Sequence, residues 1–128
     1  MVLCSGKIYW ELLEARRARA SSSAEEECNV ALVRVEELFP FPLAAVRAEV
    51  AKYEAGDPEL VWCQEEPRNC GAFNHVRACL LDASEGGGGP PFTALPRFVG
   101  RPAASSAAGG VVAWHRAEQQ AVIKAALE

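Results

Sequence analysis

The sequence predicts an α/β domain, a mostly parallel sheet with helices on both faces. Three observations lead there. Short aliphatic runs alternate four times with longer stretches of helical periodicity, in the order βα, βα, βα, βα. One of those runs, Val30 to Val35, has almost no apolar/polar alternation, the mark of a strand buried on both faces. The chain has 128 residues, half of them apolar and 23% charged, which suits one core and is too short for two. Residues 1–128 are therefore read as a single domain.

Val2 to Cys4 is the first strand, and Ser5-Gly6 turns the chain. Lys7 to about Ala20 is expected to be helical, because Ile8, Tyr9, Leu12 and Leu13 share one face. SSSAEEE, residues 21–27, reads as a solvated, flexible connection. In the second strand Arg34 breaks the run and is expected at an edge or beside a carboxylate. Pro40 and Pro42 fix the turn FPFP, and Pro42 suits a helix start because it lacks the amide that would have no partner there. Leu43, Val46, Val50 and Tyr53 form the next helical stripe, stopped by Ala55, Gly56, Asp57 and Pro58.

Leu60 to Cys63 is the third strand and Gln64 to Asn69 its loop; Gly71 to Leu81 is the third helix. SEGGGGPP, residues 84–91, reads as an exposed insertion. Leu95 to Val99 is a weaker fourth strand, and Gly100 to Gly110 a small-residue loop. A last helix, from Val111 or Val112 to Leu127, carries Val122, Ile123, Ala126 and Leu127 on its apolar edge. Right-handed crossovers in a parallel sheet place every strand-to-helix loop on one rim. That rim would gather Ser5-Gly6, Glu36-Glu37, Gln64 to Asn69, and Gly100-Arg101.

Composition excludes several classes. A net charge of -4 leaves no electrostatic footprint for nucleic acid. No apolar run approaches the roughly 20 residues of a membrane span. The opening MVLCSGKIYW has neither the basic start nor the cleavage site of a targeting peptide. It enters a strand at once, as a fragment of something larger would. Five cysteines, Cys4, Cys28, Cys63, Cys70 and Cys79, form no CxxC pair, so reduced thiols in a reducing compartment are expected.

The rim residues are the only candidates for chemistry. Glu36, Glu37, Glu65 and Glu66 could in principle divide acid and base roles, but solvated carboxylates or ion pairs to Arg34, Arg68 and Arg101 are the better reading. Cys63 and Cys70 are the thiols near polar groups, with His75 on the next helix as a conceivable activator; incidental thiols are favoured. His75 and His115 read as surface histidines rather than metal ligands. Ser5-Gly6-Lys7 before a helix is a weak anion signal, since neither GxGxxG nor a P-loop is present. The candidate anion or interface residues are thus Lys7, Arg34, Gln64, Glu65, Arg68 and Arg101, with no catalytic, cofactor or metal residue assigned. Trp10, Trp62 and Trp114 are expected to pack or to meet a partner.

Four segments in order, LCSGKIYWELLEARR, VALVRVEELFPFPL, LVWCQEEPRNCGAF and RFVGRPAASSAAG, carry a family signal. Together they resemble the C-terminal domain of the thiamine-diphosphate-dependent first component of the 2-oxoglutarate dehydrogenase complex. The relative acting on 2-oxoadipate is similar over the same stretch. The likeness covers essentially the whole chain; the Ser/Glu-rich and Gly/Pro-rich stretches depart from it as loop insertions, and Cys70 as a local variant.

The resemblance implies a transketolase C-terminal-type fold. It implies that thiamine diphosphate and magnesium bind on preceding domains across a homodimer interface. There the full enzyme, part of the tricarboxylic acid cycle, decarboxylates a 2-oxo acid and passes the acyl group to lipoamide on another component of the complex. This chain has no GDG motif with its downstream Asn, and the family's catalytic histidines do not map onto His75 or His115. The implied work is structural: supporting the dimer and walling the active-site region, in the mitochondrial matrix of a eukaryote or the cytoplasm of a bacterium. The competing reading is a free-standing α/β module that binds a nucleotide or acyl-CoA-like anion on the rim. The first predicts exposed apolar surface; the second predicts that Lys7, Arg34 or Arg101 converge on an open site.

Overall fold

A computed structural model describes residues 1–22, 29–53, 58–85 and 95–128. The elements are β1 (Val2–Cys4), α1 (Ile8–Ser22), β2 (Leu32–Arg34), α2 (Leu43–Ala51), β3 (Val61–Pro67), α3 (Phe73–Glu85), β4 (Arg97–Arg101) and α4 (Val112–Ala126). The strands form one sheet in the order β2-β1-β3-β4, every pair parallel. The expected α/β fold is present.

Side chains alternate across a strand, and the two faces feed two cores. Val2, Cys4, Val61 and Cys63 point to one face, where Ile8 and Leu12 of α1 and Val122, Ile123 and Ala126 of α4 cover them. Leu3 and Trp62 point to the other, under Val46 of α2 and Phe73, Val76 and Leu80 of α3. Trp62 is wholly buried. No helix of the described residues is long and apolar enough to cross a membrane.

Several expectations need correction. β2 is not buried on both faces: Leu32 and Val33 are half-buried and Arg34 is exposed. The missing alternation reported something real, since Leu32 packs on the first core and Val33 on the second. What it could not report is position: among the described residues β2 pairs only with β1 and stands at the edge of the sheet. β3 does not end at Cys63 but runs on through Gln64, Glu65 and Glu66 to Pro67. β4 likewise includes Gly100 and Arg101, and Pro67 pairs with Arg101 across an irregularity in the ladder. Pairing between distant segments overrode the turn-like local sequence. Gly100 is needed there, because a Cβ would stand 2.6 Å from the Phe98 ring and 2.9 Å from the Gln64 carbonyl oxygen.

Two helices run further than expected, for the same reason. Ser21 and Ser84 donate their hydroxyl hydrogens back to the carbonyls of Arg17 and Leu80, each at 2.9 Å, so serine stays within the helix. α3 begins at Phe73 rather than Gly71. α2 closes at Ala51, with Lys52 and Tyr53 bonding three residues back in a tightened final turn. The connection at 23–27, Cys28, the stop at 55–57 and the insertion at 86–91 lie outside the described residues.

Candidate functional site: the strand-end rim

β1 and β3 are adjacent but not consecutive, so the chain reverses direction across the sheet between them. In open α/β sheets such a switch point leaves a crevice beyond the strand ends. A cleft of about 480 Å³ lies there, with Lys7, Gln64, Glu65, Glu66, Gly71 and His75 in its wall. The rim loops therefore do come together, and the question is what their side chains are doing.

The cations are engaged within the chain. Lys7 donates to Glu11 at 2.6 Å and also pairs with Glu65. The bond to Glu11, then that to Glu65, holds its ammonium above the ordinary lysine value against the effect of burial. Burial works to raise the Glu11 carboxyl, but hydrogen bonds from Lys7 and Gln119 outweigh it and leave that group below its ordinary value. Arg34 donates to Glu36 at 2.9 Å and lies over the rings of Tyr9 and Trp10, 5.0 and 5.4 Å from their centroids. Glu36 in turn accepts from the Gly6 amide at 3.2 Å. The bond from Arg34, with that from Gly6 behind it, keeps the Glu36 carboxyl below the usual carboxylate range. So the anion at the turn into α1 is the protein's own, and the Ser5-Gly6-Lys7 signal has a structural origin.

Arg101 is the centre of a buried network. Its Nε donates to Glu118 at 3.0 Å, Nη1 to the Glu65 carbonyl, and Nη2 to Gln119 Oε1 at 2.9 Å and the His115 carbonyl at 3.3 Å. Gln119 passes the chain on, donating to Glu11 at 2.8 Å and Glu65 at 3.0 Å. Glu11, Glu118 and Gln119 were not singled out from the sequence. Gln119 had a legible signal, a polar residue three and four positions before Val122 and Ile123 on the buried stripe. Arg68 makes no ion pair among the described residues; it lies over Phe73 and Phe98, 4.8 and 5.2 Å from their centroids. The Arg101 ion pair is with Glu118 rather than with a rim glutamate.

Gln64 is the second surprise. Its Oε1 accepts from the Trp62 indole and from the Phe73 amide, each at 2.9 Å. Its Nε2 donates to the carbonyls of Glu66, Pro67 and Cys70 at 3.2, 3.1 and 2.7 Å. The amide therefore ties the whole turn from β3 to α3. Gly71 closes that turn with φ at +68°, where a Cβ would meet Gln64 Nε2 at 2.8 Å. Gly71→Ala should cost about 2–3 kcal/mol from the left-handed conformation and the displaced amide together. A urea-unfolding series that moved by under ~1 kcal/mol would contradict that geometry.

The thiol reading fares poorly at the predicted residues. Cys63 is fully buried, and burial first, with the Cys4 thiol and the Glu65 carboxylate behind it, pushes its thiol up to about 12. His75 contacts the Leu38 carbonyl and Cys79 instead. Among the described residues no three His, Cys, Asp or Glu side chains stand close enough to hold a metal ion.

Comparison with known proteins fits this arrangement. The family model described as 2-oxoglutarate dehydrogenase C-terminal matches residues 1–127. The chain belongs to that family. The 2-oxoglutarate dehydrogenase E1 component of Cupriavidus necator is 36% identical over 126 residues, covering 98% of this chain. The E1 components of Brucella anthropi and Brucella melitensis are each 38% identical over 133 residues and 99% of this chain. The chain spans about 12% of the length of each of these relatives. The resemblance in the four segments is thereby shown. The free-standing anion-binding module is not favoured, since Lys7, Arg34 and Arg101 are held by internal carboxylates rather than converging on an open site.

Proposed function

We propose that this C-terminal-family chain is an assembly domain, which acts with the remaining domains of a 2-oxoglutarate dehydrogenase first component and performs no chemistry of its own. The full enzyme, on this reading, is a homodimer that decarboxylates a 2-oxo acid with thiamine diphosphate and magnesium and delivers the acyl group to lipoamide on another component of the complex. It works in the mitochondrial matrix if the host is a eukaryote and in the cytoplasm if it is a bacterium. The described residues do not fit the cofactor. They offer no cluster for magnesium, and the rim cations Lys7, Arg34 and Arg101 already face carboxylates. No step through thiamine diphosphate is assigned to them.

The observation that carries the reading is where the exposed apolar side chains stand. In a parallel sheet every helix starts at the strand-end rim. Trp10 in the first turn of α1 is 58% exposed, Phe39 in the loop after β2 87%, and Trp114 in the first turn of α4 70%, with Val111 and Val112 beside it. Large aromatics dominate protein interfaces, and their exposure here supports a rim that meets other protein. Trp10→Glu with Trp114→Glu should cost the chain's own stability about 1 kcal/mol, the loss coming from the Arg34 and Tyr9 contacts of the Trp10 ring. In an enzyme carrying this domain the same pair should weaken the dimer at least about tenfold. Urea unfolding of the chain measures the first and sedimentation of the enzyme the second. Turnover of a 2-oxo acid by this chain alone, with thiamine diphosphate and magnesium supplied, would refute the proposal.

A further inference from the structure

Glu66 is the carboxylate of the rim cleft that the internal ion pairs leave over. Alternation along β3 sends its neighbour Glu65 to the α1 and α4 side, where Lys7 and Gln119 take it up. Glu66 faces the start of α3 instead: its Oε2 stands 3.0 Å from where a Cβ on Gly71 would be. Among the described residues no ion pair or hydrogen bond engages this carboxylate, and the residue is exposed. The nearest cation along the chain, Arg68, lies over the Phe73 and Phe98 rings. The 480 Å³ cleft that Glu66 lines is also walled by Leu38, Trp62 and Ala72, with His75 fixed to the Leu38 carbonyl at 2.8 Å. Phe39, next after Leu38, is 87% exposed. An unpaired carboxylate in a cleft with apolar walls fits a side chain that has an aliphatic stem and a cationic head. Lysine and arginine both have that form. Arginine fits better, because its planar fork can bond both carboxylate oxygens and its face can lie on an aromatic ring.

We propose that the cleft receives an arginine side chain presented by a neighbouring part of the assembled enzyme, its guanidinium on Glu66 and its stem against Leu38 and Ala72. This occupant presupposes the assembly reading; the cleft adds which chemistry the neighbour brings to the rim. The balance of charge favours a cation. Lys7 is shared between Glu11 and Glu65, Arg34 is held by Glu36, and Arg101 by Glu118. Glu66 and the exposed Glu37 therefore leave the rim negative. A protein, rather than a small free cation, is the source that the surroundings fit. Exposed aromatic surface beside a charge that one arginine can satisfy is the composition of an interface anchor.

The test records amide NMR spectra of the full chain during titration with N-acetyl-arginine amide, with N-acetyl-citrulline amide, its uncharged near-isostere, as control. The Gly71, Ala72 and His75 amides should shift and saturate with a Kd of about 10 mM or tighter, the range of a single charge-assisted contact. The citrulline probe and Glu66→Gln should each weaken that binding at least about tenfold. Glu66 is exposed, so Glu66→Gln keeps the fold, and its own amide spectrum reports that directly. Absence of a saturating shift at these amides overturns the proposal, as does equal binding of the two probes or an affinity that Glu66→Gln leaves unchanged. Tighter binding of spermidine than of the arginine probe would make the occupant a free polyamine and overturn the protein partner. The Trp10 and Trp114 substitutions test the assembly reading separately. A dimer weakened by them, beside a cleft indifferent to arginine, removes this inference and leaves that reading standing.

Discussion

Gln64→Leu is expected to destabilise the chain by about 3–5 kcal/mol, a large part of the 5–15 kcal/mol that holds a typical domain together. Leucine fills much of the same space, so little of the loss is packing. The loss is in partners. The Trp62 indole and the Phe73 amide are buried donors whose acceptor is Gln64 Oε1. The carbonyls of Glu66, Pro67 and Cys70 share the two hydrogens of Nε2. Each buried group left without a partner costs about 1–3 kcal/mol, and the five do not add fully because the turn can relax toward water. Gln64→Glu separates the two halves of the amide. A carboxylate keeps the acceptor for Trp62 and Phe73 but sets a charge against three carbonyl oxygens. That variant should be as unstable as Gln64→Leu at neutral pH. A carboxyl so placed has a folded pKa above its unfolded one, so stability should return as pH falls and the group protonates. Urea midpoints followed by tryptophan fluorescence decide both. A loss below ~1 kcal/mol for Gln64→Leu would mean that the amide does not organise the turn.

That same residue shows where sequence reading reaches and where it stops. The order of elements was legible, because aliphatic runs and helical stripes are local signals, and β1, α1 and α4 stand almost where periodicity puts them. The family was legible from four segments in order, and its match over residues 1–127 bears this out. Strand order was not legible, and with it went the burial of β2, whose apolar residues look central but sit at an edge. The extent of β3 and β4 was hidden for a related reason. QEEPRN has the composition of a turn, yet cross-strand pairing holds Gln64 to Pro67 in the sheet. Gln64 did carry a clue. It lies two residues after Trp62, on the same face of a strand, and a buried indole needs an acceptor. Arg101 carried less, because Gly100 before it and the small residues after it look like loop.

Arg101→Met is the second substitution with a large expected effect, about 2–4 kcal/mol. Breaking a buried ion pair from one side costs about 3–5 kcal/mol when the stranded charge stays buried. Here Arg101 is only 6% exposed but its partner Glu118 is 45% exposed, so water can take over the carboxylate and the figure is discounted. The loss falls instead on the neutral acceptors. Gln119 Oε1 and the carbonyls of Glu65 and His115 all receive hydrogens from this one guanidinium. Double-mutant cycles can separate the two sources. If solvation disposes of Glu118, the coupling of Arg101 to Gln119 should exceed its coupling to Glu118. The reverse order would mean that the charge pair holds β4 to α4. Arg101→Lys keeps the charge yet cannot span donors on three sides, because an ammonium lacks the planar fork. It should therefore lie much nearer to Arg101→Met than to the unsubstituted chain. A near-neutral Arg101→Lys would show that one contact suffices, and that the network through Gln119 to Glu11 and Glu65 forms without help from Arg101.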